Sequence, residues 1–176
     1  MTYAATELRR CAKLGLRGAD FAVTTAAKPI WHRDWDQLWA VAAECHIPIS
    51  FHTFGYPFTP VKDPQMAKDY NLHRRATSIS CFQIAGAEFL SAIVFSGAPE
   101  RFPDFKFVLG ECGVGGIPYV LTRMADAYED EFYQLGYPLK PSDYWRRQGH
   151  TTFQHETLVA EFLHLVGEDN VMWGSD

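Results

Sequence analysis

The sequence is short of positive charge: 16 Lys and Arg stand against 21 Asp and Glu, a formal net charge of −5. A nucleic-acid binder usually carries a basic surface, so that class of partner is disfavoured. No block of like charges marks a tail, no segment repeats, and no stretch is of low complexity. No apolar run approaches the roughly 18 residues needed to span a bilayer, which argues against a membrane partner. The opening stretch MTYAATELRRCAKLG reads as an amphipathic helix without the apolar centre of a signal peptide. The four cysteines, Cys11, Cys45, Cys81 and Cys112, form no C-x-x-C pair. Their long, irregular spacing fits reduced thiols in a cytoplasmic protein better than a disulfide framework. GECGVGG is glycine-rich, but it lacks G-x-G-x-x-G and no Lys-Ser/Thr follows it, so a nucleotide loop is not indicated.

What is plentiful is apolar and aromatic surface. Hydrophobic residues make up 47% of the 176, charged residues 21% and aromatics 15%, with five Trp and thirteen Phe. This is a globular composition, with enough length to bury one core in a single domain over 1–176. Most aromatics are expected in that core; a few could line a pocket for an aromatic or acyl substrate.

Short apolar runs alternate with longer helical patterns, the signature of βα units on a parallel sheet. Helices are expected over about 4–14, from Asp34 to about His46, from about Ile79 to Ile93, from about Pro118 to Phe132, and over 156–166. Asp34, with Gln37 three residues on, has the form of a capping box. Strands are expected at 18–23, 47–52, 105–111, 149–154 and 170–176, the 149–154 run being the weakest signal. Residues 53–78, with Gly55, Pro57, Pro60 and Pro64, read as a long polar loop, a length that usually carries function.

Three of these strands end in His52, Glu111 and Asp176. In a parallel barrel all strand C-termini open on one face, where active sites lie. An imidazole and two carboxylates gathered there suit a divalent metal such as zinc. Such a metal lowers the pKa of water it binds, and a neighbouring carboxylate or His moves the proton. Each residue alone has an ordinary explanation. A strand-end His is often structural, Glu111 could serve only the dipole of the next helix, and Asp176 is simply the last residue. Their shared topological place is what points to a site. Cys112, next to Glu111, would need a partner base to act as a nucleophile. The remaining histidines, His32, His46, His73, His150, His155 and His164, read as structural or exposed.

PISFHTFG, FKFVLGECGVGGIPYVLTRMADAY and NVMWGSD together resemble the amidohydrolase-related family that includes aminocarboxymuconate-semialdehyde decarboxylase and related aryl-acid decarboxylases. The likeness runs from about Leu8 to Asp176, and PERFPDFKFVLGE followed by IPYVLTRMAD is its most specific part. The resemblance implies an α/β fold, a (β/α)₈ or TIM barrel of which this chain holds about strands 4 to 8, and a divalent metal, commonly zinc. It implies His52 and Asp176 as metal ligands, with Asp176 also taking a proton. Many members carry an acid/base His where this chain has Glu111, whose reference pKa is far lower.

The family's H-x-H pair, which supplies two further ligands, does not occur in the 176 residues. Five βα units cannot close a barrel of the usual eight. The expectation is therefore a C-terminal fragment of a metal-dependent hydrolase or decarboxylase acting on a small carboxylate-bearing or cyclic substrate, inactive alone. A different reading is a non-catalytic interaction module or inert partial barrel whose open sheet edges favour homo-oligomers. A third has the metal lost and GECGVGG holding an anion through backbone N–H groups at the start of the next helix.

Overall fold

The computed structural model describes residues 1–21, 28–52 and 62–175. Among them five strands form one sheet in the order β1-β2-β3-β4-β5, each parallel to the next. They are β1 (Ala19–Asp20), β2 (Ile49–His52), β3 (Phe107–Gly110), β4 (Gly149–Phe153) and β5 (Val171–Trp173). Parallel neighbours need a crossover, and helices supply it each time. Helix α1 (Thr2–Lys13) precedes β1, and α2 (Asp36–Cys45) joins β1 to β2. Between β2 and β3 run α3 (Pro64–Cys81), α4 (Ala85–Phe95) and the short α5 (Ala98–Arg101). α6 (Gly116–Ala127) and α7 (Pro141–Gln148) lie between β3 and β4, and α8 (Val159–Val166) between β4 and β5.

Period-two alternation sends Ile49, Phe51, Phe107, Leu109 and Thr151 to one side of the sheet, where all are buried. There they meet the helices. Trp39 packs edge-on to Phe51 and tilted against Phe105, and Phe107 meets Trp145 edge-on. The indole N–H of buried Trp145 donates to the Val166 carbonyl at 2.8 Å, tying α7 to the end of α8. Gln148, fully buried, donates from its amide to the carbonyls of Phe102 and Phe105.

Several boundaries differ from the sequence reading. The expected loop over 53–78 is helical from Pro64 onward. Asp63 caps that helix by accepting from the Gln65 N–H at 2.9 Å, and Pro64 takes the first helical position. The expectation of a loop rests on the prolines and overlooks Asp63-Pro64 as a helix start; residues 53–61 of the expected loop lie outside the described residues. Helix α7 was not foreseen, although Pro141 stands at its first position too. The capping box at Asp34 does not form. His32 Nδ1 accepts the Asp34 N–H and starts a 3₁₀ turn, the Asp34 carboxylate pairs with Lys28, and α2 begins at Asp36. The strand expected over 18–23 is described only at Ala19–Asp20.

Helices α3 and α4, joined by a 3₁₀ turn, make a near-continuous stretch of 32 residues, Pro64–Phe95, long and apolar enough on average to cross a membrane. Single polar residues such as Ser80, Gln83 and Glu88 interrupt it, which is why no uninterrupted apolar run shows in the sequence. In α4, Leu90, Ile93 and Val94 are buried in the protein core, as in a core helix.

Candidate metal centre

His52 is the last residue of β2, and Glu111 directly follows β3. The register sets His52 beside Gly110. A side chain at 110 would meet Ser50 Oγ at 3.1 Å and His52 Cα at 3.3 Å, so glycine here admits the neighbouring strand closely. His52 Nε2 and Glu111 Oε2 stand 3.2 Å apart, the imidazole 46% exposed and the carboxylate 21%. Two of the three expected site residues thus converge. Asp176 lies outside the described residues. The chain is described up to Ser175, with the Gly174 N–H bonded to the Phe153 carbonyl at the same end of the sheet.

Glu111 adopts φ 55°, the left-handed region that costs a non-glycine residue roughly 1–2 kcal/mol. The structure over-determines that conformation, and β4 with the residues just after it does the work. Thr152 Oγ1 accepts the Glu111 N–H at 2.7 Å, and the Thr152 carbonyl accepts the Gly113 N–H at 3.0 Å. Thr151 Oγ1 donates to the Gly113 carbonyl at 2.7 Å. Gln154 Nε2 donates to Glu111 Oε1 at 2.9 Å, and Glu156 Oε2 accepts the Val114 N–H at 2.9 Å. Thr152 is on β4, and the bend after Phe153 brings Gln154 and Glu156 back to the β3 loop. The sequence reading gives only a weak strand here and does not single out these three; the one available signal is the polar run QHE directly after the strand.

The profile of the amidohydrolase family matches residues 2–176. This chain belongs to the amidohydrolase family. Its fold matches 5-carboxyvanillate decarboxylase from Sphingomonas paucimobilis at 25% identity and a TM-score of 0.74, covering 98% of this chain and 51% of that one. It is likewise similar to a dihydroxybenzoic acid decarboxylase from Polaromonas, solved with manganese and the inhibitor 2-nitroresorcinol (22% identity, TM-score 0.69, covering 97% and 53%). With 2,6-dihydroxybenzoate decarboxylase from Rhizobium the figures are 19%, 0.68, 97% and 55%. No curated protein matches. The chain spans about half the length of these solved relatives, and its five parallel strands are the corresponding part of their barrel.

For an amidohydrolase site the donors are right in kind: an imidazole nitrogen beside a carboxylate at the strand C-termini, hard and borderline ligands for a divalent metal. Among the described residues, however, no three His, Cys, Asp or Glu side chains gather closely enough to hold an ion. The other readings of this loop meet obstacles. Cys112 is buried, and burial first, then the Glu111 charge, pushes its thiol up to about 12, so a thiolate nucleophile is not available near neutral pH. The anion-holding reading of GECGVGG finds the Glu156 carboxylate already on the Val114 N–H. Glu156 lies so close to Gly113 that a Cβ there would stand 1.9 Å from Oε1. An added anion would face that charge.

His150 sits in β4 beside Val108 of β3, its Nδ1 buried without a hydrogen-bond partner. Burial, then the Lys106 charge, holds its pKa below the ordinary value. His155 and His164 are exposed, on a loop and on α8. An apolar groove between α4 and α6, with Trp31, Phe95 and Tyr119 in its lining, is on the helical side.

Proposed function

We propose that this chain supplies one part of a divalent-metal centre in a carboxy-lyase or hydrolase acting on a small carboxylate-bearing cyclic compound, with a hydroxylated aromatic acid as the leading substrate class. The observation that carries the reading is the His52–Glu111 pair at 3.2 Å on the strand-end face of an amidohydrolase sheet. The decarboxylases of hydroxylated aromatic acids among its solved relatives favour the lyase side. His52 and Asp176 hold the metal in this reading, and the remaining ligands come from residues outside these 176. Zinc suits this donor set; manganese, bound by relatives, is the rival ion. The metal, when bound, supplies Lewis-acid polarisation at the reacting group.

Glu111 then works as the proton carrier. Loss of CO₂ requires a proton at the carbon left behind, and hydrolysis requires one taken from water. The Glu111 carboxylate serves either direction at Oε2, the oxygen turned toward His52. In this reading Asp176, as a metal ligand, would share that work. The four free cysteines support a reducing, cytoplasmic setting. The edge strands β1 and β5 of the described sheet expose backbone groups that favour self-association, which sedimentation would reveal.

The test is metal content and CO₂ release from 5-carboxyvanillate and 2,6-dihydroxybenzoate by the full protein. His52→Ala and Asp176→Ala are expected to lose metal, and Glu111→Gln to keep metal but lose most turnover. Full metal in both ligand variants would sink the assignment. The 176 residues alone are expected to bind metal weakly and turn over nothing; tight stoichiometric metal in them would refute the partial-centre reading.

A further inference from the structure

The two oxygens of Glu111 have different partners. Oε2 faces His52 Nε2 at 3.2 Å, and Oε1 accepts from Gln154 Nε2 at 2.9 Å. A carboxylate with one partner can swing about its side-chain torsions. A second bond on the other oxygen leaves one orientation. The Glu111 backbone is fixed separately by the Thr152 hydroxyl, so Cα and carboxylate are anchored at two independent points by residues two apart in sequence. The donor on Oε1 is also neutral. The amide therefore fixes geometry without adding a charge.

The carboxylate that stands beside a histidine helps to fix its ring orientation. We propose that Gln154 is a positioning residue that, by holding the Glu111 carboxylate, sets the orientation of the His52 imidazole beside it. This rests on the reading of His52 as a metal ligand, and it adds a residue that touches neither metal nor substrate.

The experiment records the histidine ring ¹⁵N–¹H spectrum of the metal-free full protein, with the His52 signal assigned by its loss in His52→Gln. Gln154→Leu should shift that signal as Glu111→Ala does, and the double variant should add little to either, because both act on one interaction. Manganese affinity, read by chelator competition, should weaken roughly tenfold in Gln154→Leu, the scale for losing an outer partner of a ligand. If the His52 ring signals of Gln154→Leu coincide with wild type, the positioning role is overturned whatever the metal does. If instead His52→Gln binds manganese as wild type does, the metal reading falls, and the ring spectrum still decides the role of Gln154.

Discussion

On β3, Phe107 and Leu109 are completely buried against the helices, while Val108 between them is only partly covered. The same contrast holds on the neighbouring strands. Ile49 and Phe51 are buried on β2, whereas Ser50 is half-buried and His52 exposed; Thr151 is buried on β4, whereas His150 and Thr152 are half-buried. Alternate residues of one backbone therefore live on two very different surfaces. The helix-facing side is a finished core of interlocked aromatics. The opposite side, which turns inward in a closed barrel, is partly polar and open at its His52 end. Fold stability comes from the first face, and the proposed chemistry from the rim of the second.

The sharpest way to break that comparison is to truncate both faces of one strand. Phe107→Ala removes a fully buried ring and is expected to cost about 3–5 kcal/mol. Val108→Ala should cost about 1 kcal/mol, since two methyl groups on a half-covered face lose little burial. Urea unfolding of the two variants measures both. Equal costs would mean that the second face is packed as tightly as the first.

The next largest effect separates two nearby glycines at the rim. Gly113 has φ +65°, and a Cβ there would fall on the Glu156 carboxylate, whereas Gly115 has φ −63° and open space around it. Gly113→Ala should destabilise by about 2 kcal/mol, the left-handed penalty plus displacement of Glu156. It should also loosen the loop that carries Glu111. Gly115→Ala should change stability by about 0.5 kcal/mol or less. Thermal melts give the first comparison, and the His52 ring spectrum shows whether the loop moved.

The approach of His52 to Glu111 was legible in the sequence because each closes an apolar run, and a parallel sheet gives such ends one shared place. The helices α2, α4 and α6 were legible by their apolar period, although Phe132, expected on the α6 stripe, lies beyond that helix and is 43% exposed. Helix α3 was not, because none of its residues is buried and an apolar period cannot arise without a face to bury. A different physical reason hid Gln154 and Glu156. Their partners are across the sheet, forty-odd residues away, and no local pattern encodes a hydrogen bond to another strand.

A smaller effect probes His150 on the half-covered face. Its folded pKa is held below the ordinary 6.5 by burial and by Lys106. The unfolded chain therefore binds more protons than the folded one as pH drops through that value. Stability from keeping this ring neutral is present above about pH 7 and is lost as pH falls from there through the lowered folded pKa. His150→Asn should flatten this part of the Tm-against-pH curve. An unchanged slope would show that the ring is better solvated than its buried Nδ1 implies.

The smallest global effect is expected where the contrast with the core is greatest, at the start of α3. Asp63 accepts the Gln65 N–H, and losing such a cap typically costs about 1 kcal/mol of helix stability. None of the α3 residues is buried, and Met66, Leu72 and Ile79 are more than half exposed, so the first turns of this helix are coupled to the core chiefly through α4. Asp63→Ala should accordingly raise amide exchange about fivefold near residues 65–70, the population equivalent of that energy. The Tm of the whole protein should stay within about one degree of wild type, because local fraying leaves the core helices in place. A Tm drop of several degrees would show instead that α3 is docked on a face that carries stability, and the division between a finished side and an open one would have to be redrawn to include it.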